Sequence, residues 1–536
     1  MQSDASDEAR LRAYRLMEAA QGDDHAGVRG PLAALEEDAA RHGWSDVALL
    51  ARLGQVLHDV VRNTDTGQAD LALSDVVHRA HAQGHPALHA VALGLRAIDA
   101  AGRQDSAAVL ADAGRAVALA EDPAGPALDR CFAWVVCAAA FNTLSLWELS
   151  DELYDRASAL ATQCPQPVQE AAVAVNRLLV RLEWAAALFE LGEDDAALAQ
   201  VRRAGHAADL AAGTDGLPEL WQLDVATCRE LLLLVEDAHR GDPVDARLDR
   251  LRDLRTQLVA GDDVEVLPLL DAFTALSLLR LGRAQEARAH VARSHEASSS
   301  TGARSFPAWV WAQVAGDGAG ESEALVAGRE YAALVTRLRW SARTGVLAAA
   351  RSTIADERLA AEHAALSRAV LQDPLTGLAN RRSFDAWLAT ASAPGEDGED
   401  TATALLLIDL DAFKAVNDLH GHAVGDEVLR RVATVLAHHV RPGDLALRLG
   451  GDEFAVVLAG GGDADAMRRT AEERAAAVTA AVAAEDWSQL SPGLRVQVSV
   501  GAAAAVVGPH HPDAADAVYR AADADLYDVK ARRASR

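Results

Sequence analysis

The apolar residues of this chain change their period near residue 373, and that change limits the fold more than any other feature. Before it, apolar side chains recur at spacings of three and four, the pattern of one helix face, and strand-like alternation is scarce. After it, short apolar runs alternate with helical stretches. The runs are ALLLIDL (404–410), LALRL (445–449), FAVVLA (454–459) and VQVSVGAA (496–503). The helical stretches cover 383–391, 425–440 and 464–484. The chain therefore predicts a multidomain protein: an all-α portion over 1–323, a helical linker over 324–372, and an α/β domain over 373–536. A length of 536 residues suits several domains, at about 100–200 residues each. An apolar content of 50% with 24% charged residues is globular composition.

Within the α portion, several stretches read as a helix, a short turn and a second helix. Two examples are 181–212 and 271–300, turning at Gly192 and Gly282. Further turn marks are Gly102, Gly241 and Ser150, and successive marks lie 41 to 49 residues apart. One hairpin cannot bury its own apolar face, so stacked neighbours forming a solenoid are expected. In period, and in the turn pattern LG-x-x-x-x-A, residues 80–300 resemble tetratricopeptide-like helical repeats. The resemblance implies a concave surface for a peptide, protein or small molecule that the sequence does not name. Trp44, Trp134, Trp147, Trp184, Trp221, Trp309, Trp311 and Trp340 are expected in the core of this portion. A break falls at 315–325, followed by one long helix to Leu371. Leu347 and Ile354, then Leu359 and Leu366, stand seven apart. That helix is either a short coiled coil with a twin or a capping helix of the solenoid.

The formal net charge is −28, from 79 acids against 51 bases. Such a chain does not suit nucleic-acid backbones or anionic membrane surfaces. The N-terminus, MQSDASDEARLRAY, is charged and lacks the apolar core of a secretory signal. No run reaches the roughly 20 apolar residues of a membrane span. A cytoplasmic protein without membrane or nucleic-acid partners is expected. Cys131, Cys137, Cys164 and Cys228 form no metal-ligand pattern and read as incidental thiols of a reducing compartment.

The chemistry concentrates in the C-terminal domain. A buried strand ending in Asp409 holds its carboxylate rigidly, as a metal ligand requires. Asp411 follows as the N-cap of a helix starting near Ala412, whose first turn offers N–H groups and a positive dipole end to phosphate. Gly450 and Gly451 join two strand runs into a hairpin whose tip carries Asp452 and Glu453. If the Asp409 strand lies beside this hairpin, three carboxylates converge on a site for a divalent cation and a phosphorylated substrate. Only two lysines occur, Lys414 and Lys530, against 49 arginines.

Gly450-Gly451-Asp452-Glu453-Phe454 is the GGDEF signature of diguanylate cyclases. Three more motifs of that family stand around it in order: Asp373 to Arg382, Asp409 to Asp426, and Asp525 to Lys530. Residues 373–536 thus resemble a GGDEF domain. The resemblance implies a palm-like nucleotide cyclase fold that works as a homodimer, joins two GTP into cyclic di-GMP and releases two pyrophosphates. It also implies two Mg²⁺ (or Mn²⁺) ions per active site. Asp409, the carbonyl of Leu410 and Asp452 match the metal ligands, and Asp452 matches the proposed general base, with Glu453 beside it. Lys414 matches the residue that stabilises charge during transfer. Asn417 and Asp426 match the guanine-reading pair, with Phe413 nearby. His422 lies between them, either touching substrate or orienting the loop. Lys530 matches a triphosphate contact. The arginine that ends the family's closing motif is replaced by Ala534, leaving Arg533 or Arg536 as substitutes. Arg441 and Asp444, an RxxD placed nine residues before Gly450, match the inhibitory product site, with Arg468 or Arg474 as an assisting arginine. The expected protein is a cyclase regulated through its helical repeats. The alternative is a silent GTP or cyclic di-GMP receptor. No EAL or HD-GYP signature supports a phosphodiesterase.

Overall fold

The computed structural model of the chain describes residues 2–20, 25–62, 66–164, 167–214, 217, 219–260, 266–297, 305–316, 323–391, 400–441, 443–460, 463–508, 510–511 and 513–534. It divides into two compact units, Met1–Leu359 and Ala360–Arg536.

The first unit is helical throughout its described residues. Its helices are α1 (Gln2–Ala20), α2 (His25–His42), α3 (Ser45–Arg62), α4 (Thr66–Ala82), α5 (Pro86–Gly102), α6 (Ser106–Ala120), α7 (Ala127–Asn142), α8 (Trp147–Ala161), α9 (Pro167–Leu191), α10 (Asp194–Ala212), α11 (Glu219–Arg240), α12 (Asp245–Ala260), α13 (Leu267–Arg280), α14 (Ala284–Ala297) and α15 (Ser305–Gly316). α16 (Glu323–Leu371) begins in this unit. Consecutive helices pack on one another, and α1, α3, α5 and α7 also pack each on the next in that series, as do α11, α13 and α15.

One turn geometry recurs between them. A residue with φ of 57–79° stands at Gly43, Gly84, Gln104, Ser145, Gly192, Gly241 and Gly282. The next N–H reaches back to a carbonyl of the finished helix, as from Glu193 to Leu188 (3.0 Å), Arg283 to Leu278 (2.9 Å) and Leu146 to Phe141 (3.1 Å). This left-handed cap satisfies carbonyls that the helix end would leave unpaired. Two of the expected marks move. Gly102 is the last residue of α5 and the left-handed position is Gln104. Ser150 is no turn at all: it lies buried within α8, donating to Ala138 O at 2.9 Å, and the turn sits at Ser145.

Two large apolar cores result, one built on α1–α8 with Val173 and Val180 of α9, and one on α9–α15. Trp184 and Trp340 pack against both. Trp134 and Trp147 are buried as expected, whereas Trp311 is exposed. α16 changes character along its length. Ala350 and Ile354 are buried in the first core and Leu347 packs against it. Leu334, Leu338, Leu359, Leu366 and Val370 are exposed. Leu347 and Ile354 are therefore core contacts of the helical unit and not a coiled-coil seam. Three ion pairs fasten this stretch: Arg343 to Glu148 (2.6 Å), Arg351 to Glu152 (2.6 Å) and Arg358 to Glu121 (2.5 Å). Among the described residues no helix is long and apolar enough to cross a membrane.

The second unit follows the alternation of strand and helix read from the sequence: β1 (Ala379–Asn380), α17 (Arg381–Ala391), β2 (Thr401–Leu410), α18 (Phe413–His420), α19 (His422–His438), β3 (Leu445–Gly450), β4 (Glu453–Gly460), α20 (Ala464–Ala484), β5 (Val498–Val507) and α21 (Ala514–Ala534). The sheet order is β1-β3-β4-β2-β5, with β1 parallel to β3 and the other pairs antiparallel. β2 is apolar on both faces because both are covered. Leu406 and Ile408 pack with α19 and α20, while Leu405 and Leu407 pack with α17 and α21. β5 is an edge strand, and α21 lies against it so closely that a Cβ on Gly501 would fall 2.6 Å from Leu526 Cα. The Asp525 carboxylate accepts the edge N–H of Ala502 at 2.9 Å, which blunts a strand edge that would otherwise be open.

Candidate active site

The strand order decides which carboxylates meet. β2 runs beside β4 with Asp409 directly opposite Glu453, and the Leu410 N–H donates to Asp452 O at 3.2 Å. Asp409, Asp452 and Glu453 are thus brought to one end of the sheet. Gly450 (φ 146°) and Gly451 (φ 56°) form the turn, and the ladder shifts register between Arg448 and Gly450. A side chain at Gly451 would strain this backbone. Asp452 is half-buried and Glu453 exposed.

Lys530, on α21, places its Nζ 2.7 Å from Asp409 Oδ2. Burial pushes the Asp409 carboxyl up. Lys530 pulls it back, but Asp452 and Asp411 push it up again, and it ends above the usual carboxylate range. Burial of the carboxylate, with two further acids nearby, thus outweighs the contact with Lys530. A hard cation takes oxygen ligands such as these carboxylates. Among the described residues no group of three His, Cys, Asp or Glu is placed to hold a metal by itself. An ion placed beside Asp409 and Asp452 would therefore have to be completed by other ligands, and substrate phosphates are of the right chemistry.

Asp411 does not cap α18. The N-cap is Ala412, with φ 55° and no side-chain hydrogen bond. Asp411 instead accepts from Ser499 Oγ (2.7 Å) and from Arg533 (2.5 Å), and Arg533 also donates to Val498 O (2.7 Å). Ser499 and Arg448 escaped the sequence reading. Arg448 is the one charged residue of an otherwise apolar strand run, and that was the available signal. Its Nη1 donates to both carboxylate oxygens of Asp373 (3.0 and 3.2 Å), while its other nitrogens donate to Gly451 O (2.7 and 3.1 Å). The opening motif is thereby tied to the glycine turn. Burial raises the Asp373 carboxyl, but hydrogen bonds from Thr376 and Arg448 outweigh it and hold it below the usual range.

A second group lies along α18 and α19. Phe413 and Asn417 crowd Gly425, where any Cβ would overlap the Asn417 carboxamide. Lys414, His422 and Asp426 are exposed on these helices. His422 opens α19. The RxxD residues stand apart at the start of β3. The Asp444 side chain is only 1% exposed and accepts from the N–H groups of Arg441 (3.1 Å) and Ala459 (3.4 Å). The Arg441 guanidinium is exposed and donates to Ala459 O at 3.1 Å. Arg468 is exposed too, facing Asp465 and Glu472. Pro442 and Arg536 lie outside the described residues.

Residues 370–536 match the family described as "Diguanylate cyclase, GGDEF domain". The C-terminal unit is therefore a GGDEF domain of the diguanylate cyclase class. Among its relatives, the diguanylate cyclase TpbB of Pseudomonas aeruginosa is 37% identical over 174 residues, covering 32% of this chain and 38% of that protein. The response regulator PleD of Caulobacter vibrioides is 37% identical over 159 residues, covering 30% of this chain and 34% of that protein. The chain thus spans little more than a third of either relative. A crystal structure of the coiled coil and GGDEF domain of DgcB from Caulobacter crescentus with c-di-GMP is 32% identical. It covers 34% of this chain and 91% of that one, with a TM-score of 0.28.

Proposed function

We propose that this chain condenses two GTP into cyclic di-GMP and two pyrophosphates. The observation that carries the reading is the meeting of Asp409, Asp452 and Lys530 beside the glycine turn. In each half-reaction the 3′-hydroxyl of one GTP attacks the α-phosphorus of the other. The new P–O bond forms as the bond to pyrophosphate breaks, and the hydroxyl proton passes to a base. Asp452, half-buried at the tip of the turn, takes that proton, with Glu453 beside it. Lys414 stabilises charge in transfer. Lys530 exchanges its contact with Asp409 for the triphosphate as a point charge. Asn417 and Asp426 read the guanine edge, an amide and a carboxylate against its donors and acceptor, while Phe413 packs beneath and His422 borders them. Mg²⁺ or Mn²⁺, two per site, held by Asp409, Asp452 and the Leu410 carbonyl, would neutralise the phosphates.

One subunit holds half of the product, so the working form is a homodimer in the cytoplasm. The exposed leucines of α16 offer a second copy an apolar face. The helical unit is read as a tetratricopeptide-like solenoid that takes a regulatory ligand, and its recurrent turn supports this. Arg441 binds product and restrains the enzyme, with Asp444 setting the turn that presents it. Purified full-length chain incubated with GTP and Mg²⁺, with Asp452→Ala alongside and nucleotides separated by chromatography, tests the reading. Cyclic di-GMP from the wild type alone is expected. GTP binding without product, in both the full chain and a concentrated 360–536 fragment, would favour a receptor instead.

A further inference from the structure

Nothing in the spacing of the four cysteines pairs them, yet two of them meet in the fold. All four are free thiols in this structure. Cys131 lies on α7, in the first core, with 1% of its surface exposed. Cys164 stands three residues beyond α8, half-buried against that same core. The side chains of Cys131 and Cys164 share a hydrogen bond. The end of α8 holds both in place. Cys131 Sγ lies 3.5 Å from Ala157 O, and Cys164 Sγ lies 3.5 Å from Leu160 O. Ala157 and Leu160 are three apart on the helix, hence neighbours on one face.

The two thiols differ in what can reach them, and that difference sets their order of reaction. Cys164 is the one solvent touches, and Cys131 lies shielded beside it. An accessible thiol poised next to a resolving thiol is the arrangement of a reversible redox site. Hydrogen peroxide meets Cys164 first: the sulfur attacks one peroxide oxygen, the O–O bond breaks, and Cys164 sulfenic acid and one water result. The Cys131 sulfur then attacks the Cys164 sulfur. The S–S bond forms, the S–O bond breaks, and the hydroxyl leaves with the Cys131 proton as a second water. Two thiols have lost two electrons and the peroxide has gained them. Burial pushes the Cys131 thiol up to about 12 and holds that of Cys164 above its ordinary value, an effect its contact with Cys131 only partly offsets. Thiolate, the reacting form, is therefore scarce at neutral pH. The pair answers sustained oxidant and stays reduced otherwise in a reducing compartment.

We propose that Cys131 and Cys164 form an oxidative modification site of the helical unit, a reversible intramolecular disulfide made at the expense of a hydroperoxide. The site is separate from the cyclase chemistry and does not depend on it. The bridge would close residues 131–164 into a loop and fasten α7 to the end of α8. α8 also carries Glu148 and Glu152, which hold Arg343 and Arg351 of α16 at 2.6 Å. Oxidation therefore steadies the docked stretch of α16 along with α8.

Peptide mapping of the full chain tests this. The reduced protein is treated with excess hydrogen peroxide, its remaining thiols are alkylated after unfolding, and the digest is read by mass spectrometry. One pair of peptides should be joined through Cys131 and Cys164, with Cys137 and Cys228 alkylated as in the untreated chain, and dithiothreitol should restore both thiols. Cys131→Ala should halt at the Cys164 sulfenic acid, which dimedone traps. Cys164→Ser changes a half-buried residue at a helix end, so it keeps the test available should Cys131→Ala misfold, and it should leave Cys131 unoxidised over the same time. Amide exchange across 343–358 should slow at least about 3-fold in the oxidised chain. No joined pair, a bridge to Cys137, Cys228 or a second chain, or oxidation of Cys131 in Cys164→Ser would overturn the proposal. A smaller change in exchange would overturn the link to α16.

Discussion

Replacing Gly501 by alanine should move a whole helix and with it the charge at the active site. The added Cβ would stand 2.6 Å from Leu526 Cα, and nearer still to Leu526 N and Ala522 O. These are backbone atoms of α21, so no rotamer change relieves the clash, and a close-packed interior has no slack to absorb it. The helix must retreat by roughly 1 Å before the contact becomes ordinary. Overpacking of this kind costs about 1–3 kcal/mol. For a domain of this size that is about 2–4 °C of Tm per kcal/mol, or about 2–12 °C in all. The functional cost should be larger. α21 carries Asp525 on Ala502 N, Lys530 on Asp409 and Arg533 on Asp411. A displacement of about 1 Å in a positioning group can lower turnover about 100-fold. Thermal melts and cyclic di-GMP production at saturating GTP read the two effects. A variant that melts within about 1 °C of the parent and keeps its turnover would show that Gly501 is not where α21 is seated.

The remaining predictions concern three ion pairs. Arg448→Ala strips both Asp373 and Gly451 of partners that are largely buried, and should cost about 2–4 kcal/mol by chemical denaturation. Asp373→Asn should cost less, with a definite pH dependence. The folded carboxyl lies below its ordinary value, so its contribution is full above about pH 4 and fades as pH falls through the folded value. A gap to wild type that widens on acidification would contradict this. Arg343→Ala leaves Glu148 without its bidentate partner and should cost about 3–5 kcal/mol, seen as a lower first transition in calorimetry of the full chain. Asp444→Ala should lose about 1–2 kcal/mol, because two N–H groups lose their acceptor. Arg441→Ala should stay within about 0.5 kcal/mol of wild type while weakening inhibition by added cyclic di-GMP. Equal melting losses in the two would refute this division of labour.

The parts of the site legible in the sequence were those written in local signals. A continuous apolar run ending in an acid, and a Gly-Gly turn between two strand runs, put Asp409 near the end of a strand and Asp452 at a turn, where they stand. Their meeting also needed β2 to lie beside β4, which the sequence reading could only pose as a condition. Partners set by that strand order stayed hidden. Ser499 and Arg533 reach Asp411 from distant points of the chain, and no spacing rule links them. The Asp411 cap failed for the related reason that a stronger, non-local partner claimed the carboxylate. In the helical unit the period puts a turn mark at Ser150, but the left-handed residues stand at Ser145 and, after α5, at Gln104. The leucines of α16 look alike in spacing, but Ile354 is buried and Leu366 is not. Only the neighbouring helices make that distinction.

The split character of α16 also bears on how such chains are assembled by gene fusion. The position just before Glu323, where α16 begins, looks like the natural place to join one module to another. A cut there would strip the helical unit of Trp340, Arg343, Ala350 and Ile354, and so of the clamp on Glu148 and part of its first core. A join within the exposed stretch beyond Leu359 removes none of these. Fusion partners exchanged at that later point, in whole turns of helix, would inherit an intact helical unit and keep the helix phase that leads into the opening motif at Asp373.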